Sequence, residues 1–299
     1  MMEKQVDISV ITINYNGLKD TCEFLDSWIK RIKSVSYELI VVDNASKEDE
    51  ASVLETKYPQ VQVIRSEENL GFAGANNLGI DASCGKYLFF LNNDVLMCDD
   101  HIPALIKRLE SDKLTAGVSP LILNPDALHT IQWAGYTPLS TITLRNHAIG
   151  EGSSNKKAYP AAVTPYLHGA AMLIKRSIIQ KVGKMPEEYF LYYEELDWCT
   201  YITHEGYNLW YEPACEIIHK ASQTTGIGSP LQAFYMSRNR LLYAYRNMFS
   251  YTFYLTMGYL LGIVLPVNYL RAKLHKQNET ARAHVAGVKA FFELKKKYD

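Results

Sequence analysis

Ile8-Ser9-Val10-Ile11-Thr12-Ile13-Asn14-Tyr15-Asn16-Gly17 is a β-branched apolar run that stops on a polar turn. Apolar residues without alternation predict a strand buried on both faces of a sheet. The next stretch, 18–33, carries Leu18, Cys22, Leu25, Trp28, Ile29 and Ile32 at helical spacing. The unit then recurs. Glu38-Leu39-Ile40-Val41-Val42 ends in Asp43-Asn44-Ala45-Ser46, and a short helix over 48–57 leads to Val61-Gln62-Val63-Ile64. Residues 72–82 read as a helix, and Tyr87-Leu88-Phe89-Phe90-Leu91 ends in Asn92-Asn93-Asp94. This β-α-β-α rhythm predicts an α/β fold with a mostly parallel, Rossmann-like, doubly wound sheet and helices on both faces. Ligands of such sheets bind at the carboxyl ends of the strands, where the polar clusters fall.

The second half is less regular. Residues 124–165 are rich in Gly, Pro, Ser and Thr and read as loops and short antiparallel strands. His168-Gly169-Ala170-Ala171-Met172-Leu173-Ile174 reads as a strand, Lys175 to Val182 as a helix, and 194–205 as another. Asn208-Leu209-Trp210-Tyr211 and Ala214-Cys215-Glu216-Ile217-Ile218 read as two strands, and from Pro230 the pattern is helical. The expected division is 1–229, in halves 1–100 and 101–229, followed by a helical region over 230–299.

Composition narrows the function. The 299 residues are 47% hydrophobic and 21% charged, which excludes disorder. A net charge of −1 argues against a nucleic-acid partner. From Arg271 onward eight Lys or Arg face three Asp or Glu, so the tail is +5 and residues 1–270 sum to −6. A basic tail on an acidic body suits an anionic surface. Five cysteines without a C-x-x-C pair argue against a disulfide framework or a structural zinc site. The start, Met-Met-Glu-Lys-Gln-Val-Asp, lacks the apolar core of a signal peptide, so a cytoplasmic location is expected.

Several clusters can carry chemistry. A carboxylate at Asp94, directly after a strand, can hold Mg²⁺ or Mn²⁺ between two phosphates, although Asn-Asn-Asp also suits a turn and helix cap. Asp43 can accept the N3–H of a pyrimidine, or simply close its turn. Asn69-Leu70-Gly71-Phe72-Ala73-Gly74-Ala75-Asn76 offers close backbone approach and uncharged donors, and its spacing is not the G-x-G-x-x-G of dinucleotide sites. Glu194, Glu195 and Asp197 crowd one helix start. Close carboxylates raise one another's pKa, which suits a general base, while negative charge at a helix N-terminus is also plainly stabilising. His219 ends a strand and joins Asp94 as a candidate metal ligand.

Taken in order, Ile13-Asn14-Tyr15-Asn16, Val41-Val42-Asp43-Asn44-Ala45-Ser46, Asn69 to Gly79 and Leu91-Asn92-Asn93-Asp94 resemble family 2 glycosyltransferases. His168-Gly169-Ala170-Ala171-Met172, Glu194-Glu195-Leu196-Asp197 and Ile218-His219 continue the match. Tyr235-Met236-Ser237-Arg238-Asn239 looks like an element of the rhamnosyltransferase-like branch. The resemblance spans roughly residues 6–250. It implies a GT-A fold, a nucleoside-diphosphate sugar donor and a divalent cation. It further implies inverting transfer of a sugar, such as rhamnose, to a glycan or lipid-linked acceptor in cell-surface polysaccharide synthesis. The 1–100 half would bind the donor and the 101–229 half the acceptor. Thr12, Asn14, Tyr15, Asp43, Asn69, Gly71, Asn76 and Asn93 would line the donor site, Asp94 and His219 would ligate metal, and Glu195 would be the base, with Glu194 and Asp197 as alternatives. The chain departs from the family at Glu195, which stands where relatives carry aspartate, and at Gly183-Lys184-Met185-Pro186-Glu187-Glu188, where they often carry Gly-Gly-Phe-Asp-Glu. Competing readings are a nucleotidyltransferase, which would normally place a basic Gly-rich loop after the first strand, and a non-catalytic, membrane-associated nucleotide-sugar-binding protein.

No charged residue occurs between Asn247 and Leu270, a run long enough to span a bilayer. Gly258, Gly262, Pro266 and four tyrosines interrupt it, and cations flank both ends. The expectation is a segment in contact with the inner face of the membrane, with a packed helix pair, a true span or an oligomer contact as alternatives. Phe249, Phe253, Met257, Leu260 and Val264 would form its apolar face.

Overall fold

The computed structural model describes residues 6–221 and 228–297; the first five of the seven amino-terminal residues read above lie outside them. Ten strands form one sheet among the described residues. They are β1 (Ile8–Asn14), β2 (Tyr37–Asp43), β3 (Val61–Arg65), β4 (Tyr87–Leu91), β5 (Val95–Met97), β6 (Thr115–Leu123), β7 (Ile131–Trp133), β8 (Ala162–Val163), β9 (Ala171–Lys175) and β10 (Asn208–His219). The order is β3-β2-β1-β4-β9-β6-β10-β5, with β7 on β6 and β8 on β10. The first four run parallel, as the apolar runs predict, and β6 runs parallel to β10. β9 lies antiparallel between β4 and β6, so the sheet is mixed rather than wholly parallel.

The helices are α1 (Leu18–Arg31), α2 (Glu50–Lys57), α3 (Gly71–Ala82), α4 (Ile102–Glu110), α5 (Arg176–Val182), α6 (Glu194–His204), α7 (Pro230–Asn247), α8 (Ser250–Tyr259), α9 (Leu265–Leu274) and α10 (Asn278–Lys295). One core, with Val10, Leu25, Trp28, Val41 and Phe89, lies on the α1 face of the sheet; a second, with Ile11, Ile40, Phe90 and Trp198, lies on the α3 and α6 face. The alternation of β1 between these faces follows from the period of two along a strand.

Two expected strands, 208–211 and 214–218, are one strand. β10 is continuous past Pro213, and its pairing with β6 slips between Glu212 and Glu216. Proline removes a ladder donor, so the chain bulges there and resumes. The resumed half places Ile218 opposite Leu96 and His219 opposite Val95 of antiparallel β5. That register delivers His219 to the residue next to Asp94.

The carboxyl-terminal helices begin at Pro230, where Ser229 caps α7 by accepting a hydrogen bond from the Gln232 N–H at 3.1 Å. They form a third apolar cluster, with Leu241, Leu242, Phe253, Leu260 and Phe291 packed against Tyr189 and Tyr193 of the body. α7 and α10 approach so closely that a Cβ at Gly287 would lie 2.2 Å from the Phe234 carbonyl oxygen. The apolar face predicted for α8 points differently from expectation. Phe253 and Leu260 are buried in this cluster and Met257 and Val264 pack on it, while Phe249 is 84% exposed. The opposite face is also apolar and lies open: Tyr251, Tyr254, Leu255, Ile263, Val267, Leu270 and Leu274 are exposed. Residues 251–274 are helical over 24 residues, long and apolar enough to cross a membrane by length and composition.

Candidate active site

The ends of β1, β2 and β4 open on a cavity of about 210 Å³ lined by Tyr15, Asn44, Asn69, Gly71, Phe72, Asn76, Asn92 and Asn93, with Phe190 and Leu191 across from them. Asn44 weaves its floor. Its amide nitrogen donates to Asn69 Oδ1 at 3.0 Å, and its Oδ1 accepts the Leu70 N–H at 2.9 Å. Asn69 Oδ1 also accepts the Gly71 N–H at 2.9 Å. Gly71 has φ +70°, and a Cβ there would lie 2.1 Å from the Phe190 carbonyl oxygen, which accepts the Phe72 N–H at 2.7 Å. Only glycine meets both demands.

Three predicted donor residues stand elsewhere. Thr12 and Asn14 alternate with the cavity-lining Ile13 and Tyr15 and are buried on the other face of β1. Asn14 is fully engaged: its amide nitrogen donates to Asp43 Oδ1 at 2.8 Å, Ser46 Oγ at 3.1 Å and Glu50 Oε2 at 2.7 Å, and its oxygen accepts from Thr21. Both residues shape the site without lining it. Asp43 is buried and does not line the cavity; its Oδ1 takes Asn14 and Ser46, while its Oδ2 carries only a long bond, 3.3 Å, from the Ser46 N–H.

Asp94 and His219 come together as expected. His219 Nε2 lies 3.2 Å from Asp94 Oδ1, and both side chains are nearly buried. The tautomer follows from Gln132, a residue the sequence reading missed. Its amide nitrogen donates to Asn124 Oδ1 at 3.2 Å and to the His219 carbonyl at 3.4 Å, so its oxygen is the atom 2.7 Å from His219 Nδ1. The proton therefore sits on Nδ1 and the Nε2 lone pair faces the carboxylate. Two acceptors aimed at each other are satisfied by a proton on Nε2 or by a bound cation, the Asn92 amide nitrogen lies 3.4 Å from the same Nε2, and one imidazole with one carboxylate suits a divalent ion that takes its remaining ligands from phosphate oxygens. His168 stacks parallel on Tyr136 and edge-on to His219. Burial, with a smaller contribution from His219, lowers its pKa to about 3, so it stays neutral. Among the described residues no cluster of three or more His, Cys, Asp or Glu adds a further ligand.

The carboxylates of α6 separate into three environments. Asp197 is held by Arg246 at 3.1 Å and by Asn247, which ties it to α7. Glu194 is buried, with Oε2 lacking a hydrogen-bond partner; burial, and then the Glu195 charge, raise its pKa well above the ordinary range. Glu195 is partly exposed and lies against Gly169, where a Cβ would stand 3.6 Å from its Cγ. Burial raises its pKa too, opposed by the backbone N–H groups of Glu195 and Leu196. The Asn92 N–H donates to the Ala170 carbonyl at 3.0 Å, so the turn bearing Asp94 and the segment against Glu195 are hydrogen-bonded neighbours. Of the three carboxylates, Glu195 is the one left partly exposed, while Asp197 lines a separate pocket with Arg246.

The loop before α6 is bent hard. Phe190, Tyr192 and Tyr193 all have positive φ, a costly conformation for aromatic residues. The bend turns three carbonyls toward α7, where fully buried Asn239 donates to Tyr189 at 2.9 Å, Leu191 at 2.7 Å and Tyr192 at 2.8 Å. Arg238 adds bonds to the Glu188 and Tyr189 carbonyls. The Tyr-x-x-Arg-Asn element is thus a brace for the loop that carries Glu194 and Glu195, and α7 belongs mechanically to the site. Asn77 braces the same loop from α3, clasping both backbone groups of Met185 and donating to Glu187.

Residues 9–183 match the model of glycosyl transferase family 2, and the chain belongs to that family. It is 27% identical over 249 residues to the low-salt glycan biosynthesis hexosyltransferase Agl10 of Haloferax volcanii, covering 82% of this chain and 77% of the relative. It is 23% identical over 209 residues to an N-acetylglucosaminyl-diphospho-decaprenol L-rhamnosyltransferase of Mycobacterium tuberculosis, covering 63% and 68%. The structure of the mannosyltransferase PcManGT from Pyrobaculum calidifontis, solved with GDP-Man and Mn²⁺, superposes with a TM-score of 0.59 at 15% identity over 96% of this chain and 87% of that one. The fold is the GT-A fold expected from the sequence.

Proposed function

We propose that this family 2 glycosyltransferase moves a sugar, with rhamnose the leading candidate, from a pyrimidine nucleoside-diphosphate donor to a glycan or lipid-linked acceptor in cell-surface polysaccharide synthesis. It inverts the anomeric centre and needs Mg²⁺ or Mn²⁺. His219 facing Asp94 with its lone pair, beside the asparagine-lined cavity at the strand ends, is the observation that supports this most. The named specificities of the relatives point to the same class of reaction.

Each residue has a task in this reading. Tyr15, Asn44, Asn69, Gly71, Asn76 and Asn93 enclose the nucleotide sugar, and Asp43, held by Asn14 and Ser46 behind them, fixes the turn that carries Asn44. Asp94 and His219 hold the cation, which when bound offsets the charge that develops on the leaving diphosphate. Gln132 keeps His219 in the ligating tautomer. Glu195 accepts the proton of the acceptor hydroxyl as its oxygen bonds to the anomeric carbon. The bond to the diphosphate breaks on the opposite face and its electron pair stays on the diphosphate. One displacement inverts the centre. Asp197, spent on Arg246, and Glu194, sealed from solvent, support the loop.

Thermal unfolding with a panel of UDP-, dTDP- and GDP-sugars tests the donor reading. One pyrimidine nucleotide sugar should raise Tm in the presence of Mn²⁺ or Mg²⁺ and not in EDTA. No response to any member, or an equal response in EDTA, would overturn it.

In the same reading the protein works peripherally at the inner face of the cell membrane. The open apolar face of α8 and α9 lies beside exposed Arg271, Lys273 and Lys276. Each cation near an anionic surface contributes about 1 kcal/mol, lost within a Debye length. The full chain should co-sediment with anionic vesicles, less so at high salt, and replacing both Leu255 and Ile263 by Asp should abolish binding while leaving Tm nearly unchanged. Undiminished sedimentation of that variant would reject the face as the membrane contact.

A further inference from the structure

Beside Glu195 lies positive charge that the donor chemistry does not use. Arg240, one residue past the brace on α7, donates to the Thr143 carbonyl. This ties the 137–149 loop to α7, and Leu144 of the loop is buried in the same cluster as Tyr193 and Leu241. Arg145 extends from that loop into solvent. The two guanidinium groups repel each other, and burial together with Arg145 lowers the Arg240 pKa. Leu144, Leu241 and Tyr193, which lie one or two residues from Arg145, Arg240 and Glu195, pack in one cluster, and the charges of all three groups act on the Tyr193 phenol. Ion pairs among the described residues engage Arg65, Arg108 and Arg246, and neither Arg145 nor Arg240 takes part in one. Arg240 Nε and Asn146 Nδ2 are moreover buried donors without hydrogen-bond partners. Like charges set side by side with orphaned donors are costly unless an anion joins them.

The surroundings say which anion. Glu195 stands where an acceptor hydroxyl must be deprotonated, so the charge belongs to the acceptor side. The loop also touches the membrane-facing helices: Thr256 of α8 donates to the Thr141 carbonyl at 3.2 Å, and Tyr259 at the end of α8 lies close enough to act on Arg240. An anion here has Glu195 on one side and, on the other, helices whose outer face is apolar and open. We propose that Arg145 and Arg240 hold the diphosphate of a lipid-linked acceptor, with its sugar toward Glu195 and its hydrocarbon chain along α8 and α9. This assignment rests on the glycosyltransferase reading above and specifies its acceptor class.

Farnesyl diphosphate, farnesol and inorganic pyrophosphate serve as probes, titrated calorimetrically into the full chain in EDTA, which suppresses cation-dependent diphosphate binding at Asp94 and His219. Farnesyl diphosphate should bind about tenfold tighter than farnesol, as expected for charge-assisted hydrogen bonds, and tighter than pyrophosphate if the chain contributes. Arg145→Gln, at an exposed position the fold tolerates, should weaken farnesyl diphosphate by about tenfold, and Arg240→Gln by at least as much. Binding of farnesyl diphosphate by Arg145→Gln within about twofold of wild type overturns the proposal, as does equal binding of farnesol. Pyrophosphate binding as tight as farnesyl diphosphate would mean a free-anion site and reject the lipid. Nucleoside diphosphate affinity with Mn²⁺, measured on the same samples, separates the two readings: if wild type lacks it the glycosyltransferase reading fails, whereas if it is intact and the probes ignore both arginines only the acceptor assignment fails.

Discussion

Glu195→Gln is expected to lower kcat by a factor on the order of 10² or more while leaving nucleoside diphosphate affinity with Mn²⁺ nearly unchanged. A general base acts only as the acceptor proton moves, so its loss appears in turnover and not in donor binding. The substitution keeps the side-chain volume and removes the ability to take a proton. Two parallel variants discriminate. Glu194→Gln should cost far less, because Glu194 is sealed from solvent and its pKa is already raised well above the usual range by burial and by the Glu195 charge. Asp197→Asn should act mainly on stability, because Arg246 would lose the nearer of its two carboxylate partners. The pH profile carries a sign. Burial raises the Glu195 pKa, so the deprotonated, active form appears at higher pH than for a free glutamate. The acidic limb of kcat/KM should therefore lie above the ordinary carboxylate range and should vanish in Glu195→Gln. Full activity of that variant with an inactive Glu194→Gln would shift the base by one residue.

The half of the molecule made of local repeats was legible in the sequence. Uninterrupted apolar runs at Ile8–Asn14, Tyr37–Asp43 and Tyr87–Leu91 can only be buried strands, and the polar residues that end them mark the ligand edge. What escaped was set by non-local pairing. β10 read as two strands because Pro213 breaks the local pattern, whereas pairing with β6 on one side and β5 on the other carries the strand through. Thr12 and Asn14 looked like ligand contacts because they lie at the right end of β1, and only the direction of strand alternation shows them turned toward α1. Gln132 had no signal at all: it lies in a loop-rich stretch, and its value depends on two bonds to His219, 87 residues away, and one to Asn124. Asn239 was visible as part of a motif, but its task required the bent loop at Phe190, Tyr192 and Tyr193, whose strain cannot be read from aromatic residues alone. The α8 face was assigned by a spacing that is correct for a helix, yet both faces of that helix are apolar, and packing against Tyr193 and Leu242 decided which one stayed open.

Asp94→Asn should abolish the Mn²⁺-dependent part of nucleoside diphosphate binding, a loss of at least about 10²-fold, without unfolding the protein. The amide matches the carboxylate in volume, and the strand pairing that positions it, His219 opposite Val95 and Ile218 opposite Leu96, involves backbone alone. What changes is the charge. In the native site the His219 lone pair and the Asp94 carboxylate converge within 3.2 Å, an arrangement that favours a cation; an asparagine can instead turn its NH₂ toward Nε2 and satisfy the imidazole without one. The variant should therefore be at least as stable as wild type in EDTA and should gain nothing from Mn²⁺, a pattern a merely structural Asp94 would not produce. Gln132→Leu supplies the graded companion. It leaves both ligands in place but frees the imidazole to rotate and to change tautomer, so Mn²⁺-dependent affinity should fall by roughly 10 to 100-fold, the usual cost of losing a partner that orients a ligand. Calorimetric titration of a nucleoside diphosphate with and without Mn²⁺ measures both. Unchanged cation dependence in Asp94→Asn would remove Asp94 from the site, whereas loss in Asp94→Asn with none in Gln132→Leu would mean that Gln132 does not orient the imidazole for the cation.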